Sequence, residues 1–221
     1  MDFIDFEKIV KECFPFVTPV QTDRFRAMEA IYRDWNSKIN VISRKDIDQI
    51  YCHHVLHSLA LAAYMTRQAP ELLVDFLNEG AEVLDLGTGG GFPGIPLAIL
   101  FENSRFTLCD SIGKKITVAT EAAKALGLQN VETVNARAES LGRDFDYVVS
   151  RAVTSLDNFL PWVKGRYRKG VLCLKGGDIA EEIGIAMGKF KMKPGSVRTW
   201  QITSAFPDSY FDGKYVIHIE K

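Results

Sequence analysis

The residues best able to do chemistry gather around one glycine-rich stretch, Val83-Leu-Asp-Leu-Gly-Thr-Gly-Gly-Gly-Phe-Pro-Gly94. Here an apolar strand runs into a loop holding Gly87, Gly89 and Gly91. A helix is expected from Pro93, because the N–H that proline lacks would have no helical partner at that position. Glycines let the backbone turn sharply and come close to a ligand. Gly89 to Gly94 also satisfies the G-x-G-x-x-G spacing of dinucleotide sites, with Asp110 lying 16 residues beyond Gly94. A nicotinamide cofactor and the sulfonium nucleoside S-adenosylmethionine are therefore both candidates. Two residues favour S-adenosylmethionine. Asp85 stands two positions before the first glycine, where it can orient the loop or reach an ammonium group through water. Phe92 offers an apolar face to an adenosyl group and no charge to a pyrophosphate.

Further along, side chains recur at strand ends. Asp110 closes the second strand, where a carboxylate can accept two ribose hydroxyls or cap the helix before Lys114. Ala138 and Glu139 follow the third strand, where a backbone N–H and a carboxylate can read an adenine edge. Arg151 sits in Ser150-Arg-Ala-Val153 after the fourth strand. It can clamp a methionine carboxylate or a substrate phosphate through two parallel N–H bonds, or serve as a structural ion pair. Lys175, after the fifth strand, is a point where an RNA phosphate could arrive.

Missing motifs narrow the acceptor. The chain has no Asn-Pro-Pro-aromatic motif for an exocyclic amine and no Pro-Cys pair for covalent attack on a pyrimidine. A ring nitrogen with a free lone pair, such as guanine N7, needs neither, only positioning. No residue is assigned to a chemical step on this basis. His53 and His57 stand four apart on one helical face, but no third ligand accompanies them, and no metal is expected.

These residues need a scaffold. The first 70 residues read as a helical extension. Phe25, Met28, Tyr32, Trp35 and Ile39 form one stripe, with Thr22 or Asp23 as its cap. Ser43 and Asp46 suggest a shortened capping box for a second helix that ends near Pro70. Residues 71–221 are expected to form the second domain, in which, after about residue 80, short apolar runs alternate with helical stretches. Strands are expected at 83–87, 106–110, 131–136, 147–150 and 171–174, and helices at 95–101, 114–126, 156–163 and 179–190. Such alternation implies right-handed βαβ units and a parallel sheet. Runs at 197–203 and 215–220 follow with no helix between them, so an antiparallel pair should close the sheet. The expected fold is α/β, a Rossmann-like class I methyltransferase sheet behind an N-terminal helical extension.

Composition adds limits. At 221 residues, 47% hydrophobic and 25% charged, the chain is of ordinary globular type. No apolar run approaches a membrane span, and Met1 to Lys11 lacks a signal-peptide core, so a cytoplasmic location is expected. The cysteines at 13, 52, 109 and 173 form no CxxC pair. Net charge is −1, yet residues 160–200 carry 9 Lys and Arg against 3 Asp and Glu, a local surplus able to hold phosphates or simply to face solvent.

Together these pieces resemble the glucose-inhibited division protein B family, the bacterial small-subunit ribosomal RNA guanine-N7 methyltransferases. The matching segments are Trp35-Asn-x-x-Ile-Asn-Val-Ile-Ser-Arg44, His53-His-Val-Leu-His-Ser-Leu59 and Asp85 through Gly94. Asp110-Ser, Ala138-Glu139, Ser150-Arg-Ala-Val153 and Leu174-Lys-Gly-Gly177 complete them, over about residues 20–221. The resemblance implies methylation of a guanine N7 in 16S ribosomal RNA, on the RNA or on the small ribosomal subunit; a monomer is expected. It also implies cofactor contacts at Gly87, Phe92, Ala138, Glu139 and Arg151. His57 departs from the pattern, standing where many members have an acid. Methyl transfer to another RNA or a small molecule, and a nicotinamide oxidoreductase, are the competing readings. Calorimetric titration separates the cofactors: adenosylhomocysteine should bind and NAD should give no heat, whereas the reverse would select the oxidoreductase.

Overall fold

The computed structural model describes residues 1–221. Helix α1 (Phe3–Cys13) starts at Asp2, whose side chain accepts the Asp5 N–H. Helix α2 (Pro19–Lys38) begins earlier than the apolar stripe suggests. Thr18 caps it, accepting the Gln21 N–H while the Gln21 side chain accepts the Thr18 N–H. Thr22 and Asp23, the expected caps, lie inside the helix, because Thr18-Pro19 supplies both a capping hydroxyl and a proline suited to the first turn.

The expected capping box at Ser43 and Asp46 does not form. A short 3₁₀ turn (Ile47–Gln49) leads into a wide π-helical turn (Ile50–Leu56), then helix α3 (His57–Gln68) and helix α4 (Pro70–Val74). The Asp46 carboxylate is turned toward two histidine rings instead of the helix backbone.

The remaining elements alternate as expected: β1 (Glu82–Leu86), α5 (Gly94–Leu100), β2 (Arg105–Asp110), α6 (Gly113–Ala125), β3 (Val131–Asn135) and β4 (Phe145–Arg151). Then come α7 (Leu156–Val163), β5 (Tyr167–Gly176), α8 (Ile179–Phe190), β6 (Val197–Gln201) and β7 (Lys214–Glu220). Pro93 serves as the residue before α5 and not as its first member. The seven strands lie in the order β3-β2-β1-β4-β5-β7-β6. β1 to β5 are parallel, while β7 runs antiparallel to both β5 and β6. The last strand of the chain is thus inserted between β5 and β6. From β1 the order runs outward through β2 and β3 on one side and through β4 and β5 on the other. That reversal opens a crevice at the carboxyl ends of β1 and β4.

Period-two alternation divides the core. Val83, Phe106, Leu108, Tyr147 and Val149 face one layer, and Leu84, Leu86, Cys109 and Val148 face the other. The larger layer holds α2, α3, α5 and α6, where Phe6, Phe25, Met28 and Tyr32 join the cluster of Ile95, Leu97 and Val118. Each such side chain contributes about 1.5–3 kcal/mol through its burial. The N-terminal helices therefore share one continuous core with the sheet. Helices α7 and α8 cover the other face.

If Thr18 is the cap, Thr18→Ala should cost about 1 kcal/mol and lower the melting temperature by about 2–4 °C. Asp23→Ala, at an exposed mid-helix position, should leave the melting temperature unchanged. Calorimetric melting of the two variants distinguishes the assignments.

Candidate functional site

The site starts from a buried acid. Asp85 points into the larger layer and is completely buried. One carboxylate oxygen, Oδ2, accepts the Thr88 hydroxyl at 2.6 Å and the Gly94 N–H at 2.7 Å, while Oδ1 has no partner. Burial pushes its pKa up to about 7, against the opposing pull of the Thr88 and Gly94 hydrogen bonds and of Arg151. The expectation that Asp85 orients the loop is met: it ties the loop's middle to the first residue of α5.

The loop itself is internally satisfied. Gly87 and Thr88 donate their N–H groups to the Cys109 carbonyl, and Gly91 and Phe92 donate theirs to the Thr88 carbonyl. The Gly89 N–H goes to the Asp110 carboxylate at 3.0 Å. Gly87 adopts φ 73°, and a Cβ on it would lie 2.4 Å from a Val153 methyl, so only glycine fits. Over Gly89, by contrast, a Cβ would meet nothing within 4 Å. Tyr32 donates its hydroxyl to the Gly90 carbonyl at 2.7 Å, so α2 holds the loop from behind.

A cavity of about 610 Å³ opens above this loop at the carboxyl ends of the strands. Gly87, Gly89, Phe92, Asp110, Ala138, Glu139 and Arg151 all line it. Gly91 does not, since it turns under the loop against Ile95 and the Tyr32 hydroxyl. Asp110 accepts the Gly89 and Ile112 N–H groups, one on each oxygen, and does not cap α6. Two short bonds to nearby backbone outcompete the more distant helix start. Phe92 is only 4% exposed, enclosed by Tyr32, His54 and the Arg151 guanidinium, so little of its ring reaches the cavity. The open apolar surface comes instead from Ile112, 48% exposed, and Trp162, 36% exposed. Sequence reasoning missed both, as it missed Val41 and Lys115 on the same wall. Neither position carried a sequence signal, since the exposure of a large apolar side chain and its approach to the glycine loop are set by packing.

Arg151, at the end of β4, donates from Nη1 to the His53 carbonyl at 3.3 Å and from Nη2 to His54 Nδ1 at 3.1 Å. Its carbon lies 5.1 Å from the centre of the Phe92 ring. It makes no ion pair with a carboxylate, and burial lowers its pKa. Two of its five N–H donors are spent on the protein, and three are not.

The histidines pack around this arginine. His53 stacks on Tyr210 at 3.7 Å between ring centres. His57 is buried, its Nδ1 at 3.2 Å from the Tyr210 hydroxyl and its Nε2 without a partner. Burial holds it well below the ordinary histidine range. His54, with burial and Arg151 acting together, titrates at about 4.

The structure bears on two readings of the basic residues. Lys175 does not face an RNA approach; it donates to Glu182 at 2.7 Å and to the Thr154 carbonyl, supporting the chain after β4. The basic stretch 160–200 is not one patch at the site. Arg168 pairs with Asp146, Lys169 with Asp75 and Lys189 with Asp157. Moreover β5 begins, and α8 ends, at the edge of the sheet remote from the glycine loop. A second cavity, about 530 Å³, opens at that remote edge near the starts of β1 and β2. Its arginines at 24, 105 and 143 are paired with glutamates 102, 82 and 132, and it holds little apolar surface.

Residues 21–205 match the family described as rRNA small subunit methyltransferase G. The chain is 46% identical over 221 residues to ribosomal RNA small subunit methyltransferase G of Flavobacterium psychrophilum, covering 96% of this chain and 97% of that protein. The protein of the same name from Bacteroides fragilis is 46% identical over 220 residues, with 96% and 98% covered. Magnesium protoporphyrin IX methyltransferase from Synechocystis PCC 6803, solved with bound SAM, is similar in fold. Its TM-score is 0.59 at 15% identity, covering 100% of this chain and 98% of that one. Ribosomal protein L11 methylase from Lactobacillus delbrueckii subsp. bulgaricus gives 0.53 at 16% identity, covering 74% and 75%.

The raised pKa of Asp85 has a thermodynamic sign. Its folded value near 7 lies above the unfolded value of about 3.9, so the folded state holds more protons between those limits. Stability from this group therefore falls as pH rises from about 4 to 7 and levels off above that. Relative to Asp85→Asn, which cannot titrate, the wild type should lose up to about 1.4 kcal/mol per pH unit in that window. Urea unfolding of both proteins from pH 4.5 to 8 reads this directly; parallel curves would refute it.

Proposed function

The chain belongs to the rRNA small subunit methyltransferase G family, and from that premise we propose that it moves a methyl group from S-adenosylmethionine to N7 of a guanine in 16S ribosomal RNA. The observation that carries this reading is the cavity at the ends of β1 and β4, with Asp110 and Arg151 on its wall and the glycine loop between them. Its residues fit such a nucleoside. The space above Gly89 is open, Ile112 and Trp162 offer apolar surface for an adenine, and Ala138 and Glu139 line the same wall. Asp110 retains lone pairs for ribose hydroxyls, since each oxygen accepts only one N–H from the protein. Arg151, with three uncommitted donors and no carboxylate beside it, suits the methionine carboxylate.

A nicotinamide dinucleotide fits less well. A pyrophosphate is normally held by free N–H groups at the turn and by the positive end of the following helix. Here the N–H groups of Gly87, Thr88, Gly89, Gly91 and Phe92 are already taken, and the Asp85 carboxyl occupies the start of α5. A phosphate would find spent donors and an acid.

When bound, S-adenosylmethionine supplies a methyl group on a sulfonium, which an unprotonated ring nitrogen can take in line without a base or a covalent enzyme intermediate. The work left to the protein is orientation and exclusion of water. Asp85, Thr88 and Tyr32 keep the loop rigid, and Val41 closes over Gly90. Arg137, exposed, and Lys115, half-buried, stand on the cavity wall, and Arg44, Lys45 and Lys114 are exposed in the segments next to the wall residues Val41 and Lys115. None of these five is in an ion pair, whereas neighbouring Arg33 and Lys38 are paired with acids. That rim suits RNA phosphates. No helix is long and apolar enough to cross a membrane. Exposed large apolar side chains such as Ile4, Val20, Val74 and Ile185 sit on separate elements, which supports a monomer.

Incubation with methyl-labelled S-adenosylmethionine and either 16S ribosomal RNA or small subunits should label a single guanine at N7. Absence of label from ribosomal RNA in every assembly state would overturn the proposal. Arg151→Ala should weaken adenosylhomocysteine binding about 10- to 100-fold, yet leave methylthioadenosine, which lacks the carboxylate, nearly unaffected.

A further inference from the structure

The N-terminal segment reaches Arg151, on the cavity wall, through one histidine ring. An arginine always donates, so His54 Nδ1, 3.1 Å from Arg151 Nη2, must carry a lone pair. The proton of the neutral ring then sits on Nε2, which lies 2.8 Å from Asp46 Oδ2. The other Asp46 oxygen accepts from His53 Nδ1, and His53 is clamped against Tyr210. The Tyr210 hydroxyl donates to the His53 carbonyl, the same carbonyl that accepts from Arg151. Both rings come from the π-helical turn Ile50–Leu56, and such turns recur at functional sites because they redirect adjacent residues.

Charge makes this chain of contacts more than packing. Arg151 is half-buried and has no carboxylate within ion-pair distance. A cation partly withdrawn from water is costly unless a counter-charge reaches it. Asp85 and, more weakly, Asp46 act on it; Asp46 alone is linked to it by contact, through the ring, as carboxylates orient histidines that serve other groups. The segment bearing Asp46 is itself fixed at its other end. Asn36 accepts the Val41 and Ile42 N–H groups at 2.9 Å each and donates to the Ile42 carbonyl. Val41 lies against Gly90 and on the cavity wall.

We propose that Asp46 and His54 are positioning residues for Arg151: the acid, acting through the neutral ring, fixes the guanidinium so that its uncommitted donors face the cavity and the carboxylate of the cofactor. Without the ring, Arg151 keeps one carbonyl and the Phe92 face, and neither defines which edge points inward. The first 70 residues thereby supply part of the cofactor-binding apparatus, which rests on the cofactor reading given above.

Calorimetry with adenosylhomocysteine tests this with no acceptor RNA present. His54→Leu should weaken binding about tenfold, and Asp46→Asn severalfold. His54→Gln, whose amide offers both an acceptor and a donor, should recover affinity to within about threefold. In the Arg151→Ala background, His54→Leu should cost nothing more, because it acts only through the arginine. Melting curves taken in parallel establish folding, and should His54→Leu fail to fold, Asp46→Asn alone and with Arg151→Ala decides the matter. Additive losses in the double variant, or wild-type affinity in both His54→Leu and Asp46→Asn, would overturn the inference while leaving the cofactor reading intact. A wild-type protein that does not bind adenosylhomocysteine at all would remove the cofactor reading and this inference with it.

Discussion

The buried carboxyl of Asp85 is the constraint on which the site depends. It is an acid without access to water, held by a hydroxyl and a backbone N–H on one oxygen and by nothing on the other. Burying it costs free energy, and the raised pKa is the expression of that cost. In return one atom joins the end of β1, the middle of the glycine loop and the start of α5. The loop's geometry then follows, with its N–H groups turned inward and its upper surface free. Because the acid also stands at a helix start, the loop presents no positive nest to a phosphate, and this separates it from dinucleotide loops of similar spelling.

Around that point the two faces of the sheet carry different duties. The face under α7 and α8 is a small apolar layer whose polar contacts, such as Lys175 with Glu182 and Thr154, brace the chain after β4. The other face is larger and carries the N-terminal helices as well as α5 and α6. From it come Tyr32 to the loop, Val41 to the cavity wall, and Asp46 with His54 to Arg151. A helical extension packed against the sheet thus ends in side chains that complete the cavity.

Much of this was legible in the residue order. Strands and helices were expected within one to three residues of where most of them lie, since period-two and period-3.6 burial leave clear marks. Ambiguity entered where local signals competed. Thr18-Pro19 is a stronger start than Thr22 or Asp23, and the apolar stripe concealed it because it begins later. Ser43 and Asp46 have capping-box character, but two histidine N–H groups attract the carboxylate more strongly than a backbone already turning into a 3₁₀ segment. Asp110 was open between a cap and a ligand contact, and its short bonds to Gly89 and Ile112 exclude the cap.

The sequence by itself determined the alternation of elements, the glycine loop at the end of the first strand, and the acids and arginine at the ends of the next three. Those features depend on neighbours near in the chain, where sterics and burial period act directly. Only the tertiary structure decided which charges remain available. The basic residues at 168, 169 and 189 are spent on acids 22 or more residues away, and Lys175 on Glu182, whereas Arg44, Lys114 and Arg137 are in no ion pair. It also decided that Gly91 faces away from the cavity and that Arg151 is held through His54 by Asp46, more than a hundred residues earlier in the chain. A hydrogen bond or ion pair acts over a few ångströms, and which groups come within that distance is settled by how layers pack, a quantity that residue order alone does not carry.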